Sequence, residues 1–201
     1  MSSPVKITDG ERTVTIDPTT HALIALDSVH HEIHEGKTYR IDVSNDALGN
    51  NASLTIDFLT PATGPLIHFT SGVSTGNVAK LAFYEGVELT SNGTAVTPLN
   101  ANRSTSRESA MQFAFKDSTL VTTNATELNL RRIGTAPGGG SGGGGGTGSP
   151  NAQGTGGVLT ASRPEFILKP NTWYSLVVTN ICGEDQAVWL GVDWYEHISK
   201  E

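Results

Sequence analysis

Along most of this chain apolar and polar residues alternate in short runs, and these runs recur every 8 to 15 positions between clusters of Gly, Pro, Asn and Asp. Spacing of this kind is the signature of a sandwich or barrel. The runs predict strands at Thr13–Ile16, Ala22–Leu26, Thr38–Val43, Ser53–Phe58, Leu66–Thr70, Ala79–Tyr84, Met111–Phe115, Glu127–Arg132, Glu165–Leu168, Trp173–Thr179 and Ala187–His197. A strand turns successive side chains to opposite faces. In Leu54-Thr-Ile-Asp-Phe58, Leu54, Ile56 and Phe58 therefore share one face, and Thr55 and Asp57 the other. In Met111-Gln-Phe-Ala-Phe115 the odd positions are apolar. Trp189-Leu-Gly-Val-Asp-Trp-Tyr195 reads as a mixed face, with Gly191 marking a bulge or a close approach. Helical periodicity is nearly absent, so two packed antiparallel sheets and no helix longer than about three turns are expected.

Turn residues fall between the runs. Asn92-Gly93 reads as a tight turn, and Glu35-Gly36-Lys37 and Glu85-Gly86 as strand-to-strand corners. Gly138–Gly157 stands apart, because twelve of its twenty residues are glycine. A phosphate-cradling loop would close on Lys-Ser or Lys-Thr, and neither follows here. The segment reads as a long exposed connector within one β-sandwich domain spanning residues 21–201. Residues 1–20 carry one short apolar patch, Val14-Thr-Ile16, and read as an arm that orders on contact with a neighbour.

Charge and composition narrow the function. The net charge is -7, and Arg131-Arg132 is the one compact basic pair, which argues against nucleic acid as a partner. No apolar run approaches the roughly 20 residues of a membrane span, and the first residues lack the pattern of a cleaved signal. Neither secretion by that route nor a membrane anchor is expected. The four Asn-x-Ser/Thr sequons, at Asn51, Asn92, Asn102 and Asn124, then signal only loop composition. Cys182 is the single cysteine, so no disulfide forms within one chain, and it reads as a small buried hydrophobe at a strand end.

Candidate chemistry is sparse. If His30-His-Glu-Ile-His-Glu35 is a strand, His30, Glu32 and His34 share one face and could make a facial metal site. The helical motif His-Glu-x-x-His is absent, since His31 and His34 are one residue too close. Hydrogen-bonded or inter-subunit histidines are the preferred reading, with no metal and no cofactor. No Gly-x-Ser-x-Gly elbow occurs. Asp57, Glu85, Asp193 and Glu196 are carboxylates available for a catalytic pair, but nothing in the sequence singles them out. Trp173, Tyr174, Trp189, Trp194 and Tyr195 cluster late; such a set can stack on sugars, though packing is the preferred reading.

Several segments in order carry a resemblance. They are His30-His-Glu-Ile-His-Glu-Gly-Lys-Thr-Tyr39, Leu81-Ala-Phe-Tyr-Glu-Gly86, Asn92-Gly-Thr94, Thr97-Pro98 and Asn102-Arg103. After the glycine-rich loop come Pro164-Glu-Phe-Ile-Leu-Lys-Pro-Asn-Thr-Trp-Tyr174 and Val192-Asp-Trp-Tyr-Glu-His197. From about residue 22 onward the chain resembles small virion proteins of tailed bacteriophages, described as head decoration, cement or head-fibre proteins. The resemblance implies a jelly-roll-like sandwich, a homotrimer, and attachment to the major capsid protein on the outer capsid surface, without catalytic residues. The expected contact residues are Val14, Ile16, His30, His31, His34, Trp194 and Tyr195. The competing reading is a receptor- or glycan-binding module of a tail or fibre.

Overall fold

A computed structural model describes residues 32–134 and 165–198. The arm, the strands expected at Thr13–Ile16 and Ala22–Leu26, the glycine-rich loop, and Val14, Ile16, His30 and His31 lie outside the described residues. Among the described residues thirteen strands follow one another: β1 (Thr38–Leu48), β2 (Ser53–Leu59), β3 (Leu66–Thr75), β4 (Ala79–Glu85), β5 (Glu88–Ser91), β6 (Thr94–Ala95) and β7 (Leu99–Asn100). Then come β8 (Phe113–Lys116), β9 (Thr119–Val121), β10 (Thr126–Ile133), β11 (Phe166–Leu168), β12 (Trp173–Asn180) and β13 (Gln186–His197). Each expected strand within the described residues forms, with ends shifted by a few residues.

One sheet has the order β11-β3-β13-β1-β7 and the other β10-β4-β12-β2-β8-β6, while β5 and β9 pair separately. All pairings are antiparallel. The chain is therefore an antiparallel β-sandwich, as the period-two pattern required. Tyr39, Ile41, Val43, Phe69, Leu190, Val192 and Trp194 from the first sheet meet Leu54, Ile56, Phe58, Phe83, Tyr174, Leu176 and Val178 from the second. Aromatic rings tie the sheets together. Phe69 stacks on Phe83 at 4.8 Å and lies 5.3 Å from Phe58, and Tyr174 lies within 5.7 Å of Phe58 and 5.6 Å of Phe83. Offset ring pairs of this kind add about 0.5–1.5 kcal/mol each beyond the area they bury.

Two local readings change. Asn92-Gly93 joins β5 to β6, but these strands pair with β9 and β8, so it is not a hairpin turn. Glycine is needed there for space: an added Cβ would lie 1.9 Å from the Lys116 carbonyl oxygen. Residues 32–34 form a helical turn, not a strand. Gly36 at φ 69° and Lys37 close it by donating to Ile33 O and Glu32 O. The alternating face proposed for His30, Glu32 and His34 therefore does not exist at Glu32 and His34.

The four carboxylates offered for catalysis each hold a separate piece of the fold. Glu85 accepts from Tyr174 Oη (2.7 Å) and Lys169 Nζ (2.7 Å). Asp193 pairs with Arg40 at 3.0 Å. Buried Glu196 accepts from Ser109 Oγ (2.6 Å) and Ala110 N (2.7 Å). Asp57, fully buried, accepts from Ser175 Oγ (2.5 Å), Thr55 Oγ1 (2.8 Å) and Ser118 N (3.2 Å), clipping the β8–β9 turn onto β2.

Burial pushes the Asp57 carboxyl above its ordinary range, against the opposing pull of its hydroxyl and amide donors. A carboxyl raised in the folded state binds its proton more tightly folded than unfolded. Acidification toward the unfolded value of about 3.9 should therefore stabilise the wild type relative to Asp57→Asn, which has no titrating group there. Thermal melts of both proteins between neutral pH and that value check this; parallel curves would contradict it.

Candidate functional site

Strand β13 is central in its sheet, paired with β1 on one side and β3 on the other. Its even positions, Val188, Leu190, Val192 and Trp194, are buried in the core, and its odd positions face outward. Trp194, expected at a contact surface, is only 1% exposed and stacks on Tyr39 at 5.7 Å. Its role is packing within the sandwich, and it has no face to offer a neighbour. Tyr195, one residue on, faces outward and is half-buried. The strand is thus not mixed: its alternation is regular, and Trp194 was on the other face from Tyr195.

Tyr195 belongs to a row that crosses four strands. Register places Ile167 of β11 beside His68 of β3, His68 beside Tyr195, and Tyr195 beside Thr38 of β1. Side chains directly opposite in this way share a face. The His68 and Tyr195 rings stack at 4.4 Å and 15°. Glu165 joins them through one oxygen: Tyr195 Oη donates to Oε1 at 2.7 Å, and His68 Nδ1 lies 2.5 Å from the same atom. A carboxylate can only accept, so Nδ1 carries the imidazole proton. The Tyr195 and His68 hydrogen bonds hold the Glu165 carboxyl below the usual glutamate range, outweighing its partial desolvation.

The cluster continues along the sheet end. His197 lies beside Leu66 in the register and meets His68 edge to face at 5.9 Å. Its Nδ1 lies 3.3 Å from Oε1 of buried Glu32 in the helical turn. Lys37 pairs with Glu35 and lies 3.6 Å from Glu32 Oε2, and these carboxylates raise its ammonium pKa, the Glu35 hydrogen bond most. His34 sits on the same turn, where its carbonyl accepts from Asn102 Nδ2 at 3.0 Å. Of the expected contacts within the described residues, Tyr195 enters the cluster, His34 lies on the turn beside it, and Trp194 is separated from both by the sheet.

Around the rigid rings stand apolar side chains that water reaches. Leu66, beside His197 in the register, is 36% exposed, and Ile167, beside His68, is 61% exposed. The site thus combines stacked aromatic and imidazole rings, a Glu165 carboxylate held by two hydrogen bonds, and uncovered aliphatic groups. Glu165 is a weak base, because Tyr195 and His68 stabilise its ionised form. Such a surface is suited to contact. Among the described residues no group of three or more His, Cys, Asp or Glu is placed to hold a metal ion. Cys182 lies partly exposed just past β12, its Sγ 3.1 Å from Glu184 O, and so is less buried than expected.

Sequence reasoning missed His68, Glu165, His197 and Glu32 as members of one site. Part of the signal was present: Tyr195 and His197 are two apart on one strand and must share a face. No family model, no curated protein and no solved structure matches the chain.

The Glu165 arrangement has a pH signature. A depressed carboxyl contributes stability above its unfolded pKa and loses it as the pH falls through the folded one. Below about 4.3 the wild type should therefore lose stability relative to Glu165→Gln. Tyr195→Phe, which removes the main cause, should flatten that dependence in melts taken across the same range. An unchanged profile in both variants would contradict the geometry.

Proposed function

We propose that the chain is a structural virion protein that decorates and stabilises the outer surface of a bacteriophage capsid, without catalysis. In this reading it is a homotrimer that binds the major capsid protein, with neither nucleic acid nor membrane as partner. The observation that carries the reading is the sheet-end surface just described. Leu66, the register neighbour of His197, and Ile167, the register neighbour of His68, leave apolar area in water beside the His68–Tyr195 stack. Exposed aliphatic side chains set beside polar groups on one face suit an interaction surface. Rigid aromatic anchors lose little entropy when they dock.

Two further points support it. The order β1-β13-β3-β11 against β2-β12-β4-β10 is compatible with the winding of an eight-stranded jelly roll, the architecture the sequence resemblance implies. The acidic chain, at net -7, suits a protein that works on a surface other than nucleic acid. Stabilisation then follows from mass action, because a protein that binds the assembled shell and not its separated parts favours the shell. Gripping several capsomers at once adds avidity.

Antibody raised against the purified chain should label the heads of particles that carry it, at many sites per head. Added back to particles stripped of it, the wild type should restore heat resistance. Ile167→Asp, which places a charge in the apolar patch, should bind at least about tenfold more weakly, the equivalent of one aliphatic side chain no longer buried. Light scattering of the isolated protein should give three chain masses. Label confined to tail tips, or full occupancy by Ile167→Asp, would contradict the proposal.

A further inference from the structure

About six residues along β13 from Tyr195, roughly 20 Å at the rise of a strand, the same outer face carries a second feature. Register sets Trp189 between Ser44 of β1 and Ser74 of β3, so an outward indole is flanked by two hydroxyls. Beside it lies an open trough of about 370 Å³, lined by Ser44, Asp46, Ser74, Thr75, Ala187 and Trp189 among others. That volume is at the lower end of the roughly 300–1,000 Å³ of small-ligand sites.

The sequence makes room for the indole. A Cβ at Gly191 would lie 2.6 Å from two atoms of the Trp189 ring and 2.6 Å from Asp42 Oδ1. Register runs unbroken across Gly191 to both neighbouring strands, so the glycine serves close approach and not a bulge. Any larger residue there would lift the ring off the sheet. Thr75 Oγ1 is already committed to Asn77 O at 2.6 Å. Among the described residues, Ser44, Ser74 and Asp46 give their side chains to no hydrogen bond or ion pair, which leaves them free for a ligand.

We propose that Trp189 and the hydroxyl-lined trough beside it form a binding site for a neutral saccharide. A pyranose ring presents an apolar C–H face and a rim of hydroxyls that both donate and accept. The indole matches the face. Ser44 and Ser74 can donate or accept at the rim, and the Asp46 carboxylate accepts. Charge selects the neutral class. Arg40, the cation nearest in the register, is held by Asp42 (3.4 Å) and Asp193 (3.0 Å), so Asp46 adds to a local excess of negative charge that disfavours acidic sugars. The site does not depend on the capsid role proposed above, and each can fail without the other.

Affinity electrophoresis tests it, with the purified full-length chain run in gels containing dextran, amylose, galactomannan or the anionic polymer alginate. At least one neutral polysaccharide should retard the wild type, and alginate should not. Trp189→Ala should bind about tenfold more weakly, the scale of one lost stacking contact, while Trp189→Phe keeps most of the retardation. Isomalto-, malto- and mannan oligosaccharides titrated into the wild type, with the indole N–H resonances followed by NMR, give a readout that needs no variant. The Trp189 signal should move and the buried Trp194 signal should not. Absence of retardation by every neutral polymer, stronger retardation by alginate, or a Trp189→Ala protein retarded like the wild type would overturn the proposal, as would oligosaccharides that leave the Trp189 resonance in place.

Discussion

The register of β13 decides what this molecule shows to its surroundings. The strand is hydrogen-bonded on both sides over most of its length, with ten consecutive partners on β3 from Val188↔Thr75 to His197↔Leu66. Because side chains alternate with a period of two, a slip of one residue would exchange its faces. Leu190, Val192 and Trp194 would leave the core, each losing about 1.5–3 kcal/mol of burial, and Asp193 and Tyr195 would enter it. Buried polar groups pin both ends against that slip. At the start, Gln186 Nε2 donates to Val78 O (2.9 Å) and Asn180 Oδ1 (2.8 Å), and its Oε1 accepts from Asn77 N (2.6 Å). At the end, Glu196 holds Ser109 and Ala110.

Once this register is set, the outer face follows. Tyr195 and His197 fall at one end, beside His68, Glu165 and the helical turn that carries Glu32. Trp189 falls toward the other end, beside the serines of β1 and β3. The two ends differ in chemistry. One is a rigid ring cluster bordered by aliphatic side chains, suited to a protein surface. The other is a single indole among free hydroxyls, suited to a small polar ligand.

Much of the fold was legible because period-two alternation is a local property. Leu54, Ile56 and Phe58 read directly as a buried face, and they are buried. The strands that escaped notice, β5, β6, β7 and β9, span two to four residues, too few for a period to register. Trp189 and Gly191 obscured the alternation of β13, since a large apolar residue and a glycine both sit on its outward side. A shared face for Glu32 and His34 held only on the condition that the histidine run is a strand, but Gly36 at φ 69° ends a helical turn there. Of the ring cluster only the shared face of Tyr195 and His197 could be read from sequence, because Glu32, His68, Glu165 and Tyr195 come from four separate segments. Only the pairings of β3, β11 and β13 bring most of them together.

The proposed capsid contact lies on the outer face of the five-stranded sheet, at its Tyr195 end. Hydroxyl-radical footprinting of the free chain and of the chain assembled on particles tests it most directly. Tyr195, His68, Leu66 and Ile167 should lose reactivity on assembly, while Trp194 stays unreactive in both states because it is buried. Protection that fell instead on the outer face of the other sheet, around Trp173 and Phe115, would contradict it.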